Sequence, residues 1–473
     1  MLALLWRLGV WVGYNTDMKY DDTIVAIATP PGQGAIGIIR ISGSDALAIL
    51  QKIYQPRRSA PWRSQVMRYG HVLSAQNHII DEVMAVWMRA PRSYTGEEVV
   101  EISCHGGRIA LESVLQRILA CGARMANAGE FTMRAYVAGR IDLSQAEAVM
   151  DVIQAQTSQA LGQAQAQLQG WLGQQVTQFI ATINYELAAV VARIDFPDEV
   201  AETAVDKNAL VELMTAIDTL LGGARTGMVL RDGARVVLMG RPNVGKSSLL
   251  NTLLRHDRAI VSPIAGTTRD TLEESADILG VPVRFIDTAG ITDDSTDVVE
   301  QLGVARSRTA AAHADLALVL IDSSLPLTPQ DHVALAARGD LPAILVLTKT
   351  DLPVCAPTID DALQLRATPF VANVQISSKS GLGIDLLQQA MAAHLLDHAP
   401  AHDMRVSNSR HVDALQRCRN HLHDALQALQ HHYTADLVAV DLQAAVAALA
   451  EITGADVSEA LLDTVFARFC IGK

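Results

Sequence analysis

Apolar residues come in two rhythms along this chain. Short apolar runs bounded by glycine, proline and polar turns mark strands, and apolar positions three and four apart mark helices. Thr23-Ile24-Val25-Ala26-Ile27-Ala28-Thr29 and Ile36-Gly37-Ile38-Ile39-Arg40-Ile41-Ser42-Gly43 read as strands around the turn Pro30-Pro31-Gly32-Gln33-Gly34. Residues 82–88 and 99–103 read as further strands, residues 45–53 and 108–120 as helices, and His105-Gly106-Gly107 as a turn. From about residue 141 to 223 Gln and Ala dominate, with Ala146, Val149, Met150, Ile153, Leu161, Ala164, Leu168 and Leu172 at helical spacing. Ile194-Asp195-Phe196-Pro197-Asp198-Glu199 interrupts these helices, since proline cannot continue one. Between residues 231 and 395 apolar strands recur as Val236-Val237-Leu238-Met239, Val283-Arg284-Phe285-Ile286, Leu316-Ala317-Leu318-Val319-Leu320-Ile321, Ala343-Ile344-Leu345-Val346-Leu347 and Val371-Ala372-Asn373-Val374-Gln375-Ile376. Helical stretches lie between them, which predicts a mostly parallel sheet. Residues 410–450 and 458–469 turn helical again, so the α/β stretch reads as an insertion into a helical domain.

Composition narrows the class. The 473 residues are 49% hydrophobic and 19% charged, enough for two to four domains with sizeable cores. The net charge of −13 opposes a protein coated in basic surface. Five scattered cysteines, with no CxxC and no His at metal spacing, give no zinc motif and suit a reducing compartment. No run of about 18 apolar residues predicts a membrane span. The first 17 residues, apolar but broken by Arg7, read as an appendage or an upstream start before Met18, with a signal peptide as the alternative.

The chemistry centres on Gly240-Arg241-Pro242-Asn243-Val244-Gly245-Lys246-Ser247-Ser248, which fits the P-loop pattern between a strand and a helix. Its glycines let backbone N–H groups close on phosphate oxygens, and the helix N-terminus adds partial positive charge. Lys246 would reach the outer phosphates and Ser247 would ligate Mg²⁺. Asp287-Thr288-Ala289-Gly290 follows the next strand, with Asp287 placed to meet Mg²⁺ through water and the Gly290 N–H to face the γ-phosphate. Gly266-Thr267-Thr268-Arg269-Asp270 can complete the Mg²⁺ shell through a threonine, Thr268. Thr348-Lys349-Thr350-Asp351 ends a later strand; its aspartate can accept both guanine N–H groups, which adenine cannot offer. Ser377-Ser378-Lys379 would back the base. The set in order predicts a GTPase. An ATP-dependent enzyme fails on Asp351, and a GTP-controlled assembly or ribosome-associated switch stays open on the G domain alone. Two positions depart from the usual pattern. Thr348 stands where Asn ties the base loop to the P-loop, which predicts weaker affinity. Ile291 stands where Ras-type enzymes carry the glutamine that orients water.

The G motifs resemble those of translation-factor-like GTPases, and the flanks narrow this. Asp22-Thr23-Ile24-Val25-Ala26, Arg40-Ile41-Ser42-Gly43, Tyr94-Thr95-Gly96-Glu97-Glu98, His105-Gly106-Gly107, Gly129-Glu130-Phe131, Asp142-Leu143-Ser144-Gln145-Ala146-Glu147-Ala148, Ile194-Asp195-Phe196-Pro197-Asp198-Glu199 and the terminal Phe469-Cys470-Ile471-Gly472-Lys473 resemble the tRNA modification GTPase MnmE (TrmE) family, over nearly the whole chain. The resemblance implies an α+β and α/β multidomain fold: an N-terminal folate-binding α/β domain, a helical bundle and an inserted Ras-like P-loop G domain, a parallel-rich sheet flanked by helices. It divides the chain into an extension at 1–17, a tetrahydrofolate-binding and dimerisation domain at 18–138, helical parts at 139–230 and 397–473, and a G domain at 231–396. It implies a cytoplasmic homodimer that joins the flavoprotein MnmG in a heterotetramer, acts on tRNA away from any membrane, and places a carboxymethylaminomethyl or aminomethyl group on wobble uridine. It further implies GTP as substrate, Mg²⁺ on Ser247 and Thr268, and K⁺ on Asn243, Ser262, Ile264 and Thr267.

By the same resemblance nucleotide contacts extend over Asn243, Val244, Gly245, Lys246, Ser247 and Ser248, over Ser262, Pro263, Ile264, Ala265, Gly266, Thr267 and Thr268, and over Asp287, Thr288, Ala289, Gly290, Thr348, Lys349, Asp351, Ser377, Ser378 and Lys379. Glu300 becomes the residue that orients water, with Lys246 and Asn243 completing the catalytic set. Arg40, Glu101, Arg140 and Lys473 become the site for 5,10-methylene- or 5-formyl-tetrahydrofolate. Cys470 is a conceivable nucleophile, with a buried tail cysteine as the plainer expectation. The acidic net charge suggests that MnmG carries much of the tRNA contact.

Overall fold

A computed structural model describes residues 22–196, 205–256, 273–287, 312–353, 355, 370–396 and 406–473. The chain divides into two compact units, each discontinuous in sequence. The first holds residues 1–150, 167–210 and 420–473, and the second residues 151–166 and 211–419.

The first unit contains a seven-stranded sheet in the order β3-β4-β5-β6-β2-β1-β7. Its strands are β1 (Ile24–Ile27), β2 (Ile36–Ser42), β3 (Tyr54–Pro56), β4 (Arg68–Leu73), β5 (Ile79–Met88), β6 (Val99–His105) and β7 (Arg124–Met125). All neighbours run antiparallel except β1 and β7. Alternation along β2 and β6 sends Ile39, Ile41, Val100 and Ile102 into a core shared with Ile49, Leu50, Val114 and Ile118 of helices Ala46–Ile53 and Arg108–Leu119. The residues between them take the other face, and the register sets Arg40 directly opposite Glu101. The expected strands are present. β3, β4, β7 and helix Glu130–Val137 are additions, in stretches where polar residues dilute the apolar rhythm.

The helical region carries helices Leu143–Gln154, Ser158–Leu168, Trp171–Asp195, Lys207–Gly222 and Ala224–Asp232. Helix Trp171–Asp195 ends at Phe196, one residue before the expected proline break; Pro197, Asp198 and Glu199 lie outside the described residues. Of the expected apolar stripe, Ala146, Met150, Ala164 and Leu172 are buried, whereas Ile153 and Leu161 are exposed. The helical stretch expected over residues 410–450 is present as two helices, Ser409–Gln430 and Ala435–Thr453, separated by a turn in which His432 adopts φ 54°. Helix Glu459–Phe466 follows.

The second unit holds a six-stranded sheet in the order β13-β12-β11-β8-β10-β9. Here β8 is Ala234–Met239, β9 Glu273–Ile278, β10 Val281–Asp287, β11 Leu316–Asp322, β12 Ala343–Thr348 and β13 Ala372–Gln375. Five strands are parallel, and the edge strand β9, polar and absent from the sequence expectation, pairs antiparallel with β10. β11 and β12 are buried at every position, as strands covered on both faces must be. From β8 the chain goes first to the β10 side and then crosses to β11, so the carboxyl end of β8 lies at the reversal where such sheets bind ligands.

Candidate nucleotide and tail sites

The P-loop leaves β8 at that reversal. Gly240 adopts φ 149°, and a Cβ there would come within 2.7 Å of the Leu320 carbonyl on β11. The loop therefore needs glycine to lie this close to its neighbour. Gly245 takes φ 110°, and Asn243, with a side chain to place, takes the left-handed φ of 60°. Helix Lys246–His256 begins at once, so its free N–H groups and dipole face the loop. Lys246 is buried to 8% exposure and its Nζ donates to the Gly240 and Arg241 carbonyls at 2.6 and 2.9 Å. Val244 is buried, while Asn243, Ser247 and Ser248 are exposed on the rim.

The base loop is fastened to the P-loop. The buried Thr348 hydroxyl lies 2.8 Å from the Val244 carbonyl and 3.2 Å from the Ile321 carbonyl, both acceptors for its one proton. The tie that asparagine usually makes at this position is thus made here by threonine, directly to the P-loop backbone. Lys349 is again left-handed, φ 61°, and its ammonium pairs with Asp322 at 2.7 Å. Burial would push the Asp322 carboxyl up, but bonds from Lys349 and Ser324 outweigh it and hold it below the usual carboxylate range. Asp351 is exposed, and the fully buried Ser377 donates to its Oδ1 at 2.8 Å, fixing the carboxylate's direction. Ser378 is half-buried, with its carbonyl 3.4 Å from Thr252 Oγ1, and Lys379 is exposed. Asp322 and Ser323 escaped the sequence reading. Their position after an apolar run, on the edge that carries the other motifs, is the signal that could have found them.

Asp287 closes β10 opposite Leu238 of β8, which puts its backbone on the same edge. The Asp287 side chain lies outside the described residues. So do Ser262, Pro263, Ile264, Ala265, Gly266, Thr267, Thr268, Thr288, Ala289, Gly290, Ile291 and Glu300.

The first unit gathers the other expected set. Arg40 Nε donates to Glu101 Oε1 at 2.8 Å, and its Nη1 reaches the Gly472 carbonyl at 3.3 Å. The Arg40 guanidinium lies 5.5 Å from the Tyr94 ring centroid and 5.7 Å from that of Phe131. Arg140 lies 5.7 Å from Tyr94 as well, so this ring has two cations within cation–π range. The terminal segment is fastened to the sheet unit by its backbone. Gly129 and Phe131 donate to the Cys470 and Lys473 carbonyls, and Ile471 bridges Ala128. Gly472 has φ 97°, and a Cβ there would meet the Ile27 carbonyl at 2.5 Å. Burial depresses the Lys473 ammonium, Arg40 depresses it further, and Cys470 and Glu101 act the other way. Cys470 is exposed, which corrects the expectation of a buried tail cysteine. Behind the sheet edge, Arg134, 1% exposed, pairs with Asp22, Glu97 and Glu130 at 2.7, 3.2 and 2.9 Å.

A parallel sheet with a P-loop on a central strand and a tied base loop on the same edge defines the second unit as a P-loop nucleotide-binding domain of the α/β class. Two family models match the chain: "GTP-binding protein TrmE N-terminus" over residues 23–140 and "MnmE helical domain" over residues 143–470. The chain is 52% identical over 456 residues to the tRNA modification GTPase MnmE of Chloroflexus aurantiacus, covering 96% of this chain and all of that one. It is 49% identical over 465 residues to the protein of that name from Roseiflexus castenholzii, again 96% and all. A solved GTP-binding protein from Sulfolobus solfataricus, in complex with GDP, is 14% identical with a TM-score of 0.27 over 62% of this chain and 78% of that one, too loose a likeness to carry an argument. The chain belongs to the tRNA modification GTPase MnmE family.

Proposed function

We propose that this protein hydrolyses GTP and couples the cycle to modification of the wobble uridine of tRNA. One observation carries the reading of the nucleotide: Asp351 is aimed by Ser377 on a loop that Thr348 ties to the P-loop. A carboxylate held there accepts two guanine N–H groups, and Lys246 beside the helix N-terminus supplies charge for phosphates. Mg²⁺ belongs on Ser247, exposed at the P-loop rim, with Thr268, and would neutralise phosphate charge. K⁺ belongs on Asn243 with Ser262, Ile264 and Thr267, where it would supply the charge that an arginine finger supplies elsewhere. Asn243 is exposed on the loop at a left-handed φ of 60°, so an ion can reach its side-chain oxygen. Since Ile291 offers no hydrogen bond to water, Glu300 is the residue assigned to orient it.

In the first unit Arg40, Glu101, Arg140 and Lys473 fit a reduced folate. Glu101 offers an acceptor to pterin N–H groups and the three cations suit a carboxylate tail, with Tyr94 as the aromatic wall. The folate would carry the one-carbon unit of the carboxymethylaminomethyl or aminomethyl group. The reading includes a cytoplasmic homodimer, association with MnmG, and the domain limits set out above.

The test has two arms. Asp351→Asn should shift hydrolysis from GTP to xanthosine triphosphate, because an amide donor then meets the base carbonyl. Unchanged GTP preference removes Asp351 from the base site. Nucleoside mass spectrometry of tRNA from a deletion strain should show loss of the modified wobble uridine, and an unchanged profile would leave a GTP-controlled assembly switch as the better reading.

A further inference from the structure

Helices Ser409–Gln430 and Ala435–Thr453 bring three side chains together, none of them part of the nucleotide or tail sites: His421, Asp424 and Asp441. His421 and Asp424 are three residues apart on one helix and so share a face. Asp441 comes from the other helix of the hairpin. One donor atom from each lies within 4.8 Å of the other two. His421 and Asp441 are half-buried and Asp424 is exposed, so the trio sits at a surface that an ion can reach. None of the three hydrogen-bonds or ion-pairs with another described residue, or with one another.

That combination is informative. Two carboxylates facing each other across a helix pair repel, and a pair of this kind normally draws in a Lys or Arg. Here no described side chain bridges them, and the imidazole stands at the third corner without closing a direct bond to either. Donors around a zinc-like ion sit at about 2.0–2.2 Å from it, hence at most about 4.4 Å from one another. A small rotation of the side chains closes the present spacing onto a common centre. We propose that His421, Asp424 and Asp441 form a binding site for a first-row divalent cation of the zinc type, which staples the two C-terminal helices. One nitrogen and two carboxylate oxygens suit zinc, cobalt or manganese rather than a hard cation demanding six oxygens. Three protein ligands leave a position open to water or to a partner's donor.

The test uses the full-length protein saturated with Mg²⁺ and GDP, so that the nucleotide site is filled. Titration with CoCl₂ should show one equivalent per chain, with visible ligand-field bands and no thiolate charge-transfer band, which separates this site from the free cysteines. His421→Ala and Asp441→Asn should each weaken that binding at least tenfold. The metal should raise the melting temperature of the wild type and leave that of Asp441→Asn unchanged. Asp424→Asn, at the exposed corner, gives the same readout should either other variant fail to fold. Absence of the cobalt spectrum at millimolar metal, or equal binding by the wild type and the variants, would overturn the proposal.

Discussion

The nucleotide site of the second unit and the tail site of the first are built in opposite ways. The P-loop holds its working residues within nine consecutive positions and is shaped largely by its own segment: Gly240, Asn243 and Gly245 at positive φ, Lys246 bonded back to the Gly240 and Arg241 carbonyls, then a helix start. The tail site takes Arg40, Glu101, Arg140 and Lys473 from four separate segments, and the Arg40–Gly472 bond spans 432 positions. The first kind of site depends mainly on local conformation, with Leu320 and Thr348 as its close neighbours. The second exists only if the antiparallel register of β2 and β6 holds and the last five residues dock. Removing residues far from either chemistry should therefore hurt the second site more.

The sharpest break of that comparison is deletion of residues 471–473. It removes Lys473, the Gly472 carbonyl that Arg40 bonds and the Ile471 bridge. The expected result is abolished tRNA modification with GTP turnover largely intact. Calorimetry with 5-formyltetrahydrofolate should show binding lost in Glu101→Ala, which also leaves Arg40 without its 2.8 Å carboxylate partner. Undiminished folate affinity in that variant would move the site elsewhere.

Turnover in K⁺ against Na⁺ addresses the other site. A K⁺ ion at the proposed site beside the transferring phosphoryl group would take the place of an arginine finger, so the expected gain is ~10³-fold or more. Glu300→Ala should lower turnover by ~10²-fold with GTP binding little changed. Equal rates in the two salts would end the K⁺ assignment, and a turnover loss no greater than the binding loss would make Glu300 structural.

Arg134→Ala leaves Glu130, 1% exposed, with Arg124 and the Asn127 N–H as its remaining partners. Losing the Arg134 bonds to charged groups should destabilise the first unit by about 1.5–3 kcal/mol while nucleotide binding in the second persists. The pH dependence has a definite sign. Burial would raise the Glu130 carboxyl, but Arg124, the Asn127 N–H and Arg134 outweigh it and hold it below 4.5. Its contribution is present above pH 4.5 and is lost as pH falls through its lowered value. Acid melting curves of the first unit should show this slope in the wild type and a shallower one in Arg134→Ala; parallel curves would remove the network as its source.

Legibility in sequence followed the same divide. β11 and β12 are wholly buried and read as unbroken apolar runs, and the motifs at their ends could be placed from spacing. β3 and β4 alternate apolar with Arg68, His71 and Gln55, so neither crossed the threshold of a strand pattern. The turn at 431–434 is spelled His431-His432-Tyr433-Thr434, without the Gly or Pro that marks a turn in sequence. Arg40 and Glu101 carry no local signature: each is one polar residue on the alternate face of an apolar strand, and only family likeness named them. Asp322 was missed for a simpler reason, as an acidic residue at a strand end looks like ordinary solvation until the Lys349 ammonium is found against it.

The smallest expected effect concerns the place where the two modes of construction meet. Thr348 is a long-range contact within the locally built site: its hydroxyl spans 104 positions to reach the Val244 carbonyl. Thr348→Val keeps the shape and removes the donor. Leaving a buried carbonyl unsatisfied costs about 1–3 kcal/mol, so GTP affinity should fall roughly five- to a hundredfold. The GTP-over-xanthosine preference should not move, because Ser377 still aims Asp351. Affinity measured with a fluorescent GDP analogue checks the first part, and competition with the two nucleotides checks the second. Unchanged affinity would show that the P-loop holds its shape without the tie. A relaxed base preference would show that Thr348 also helps to set the position of Asp351.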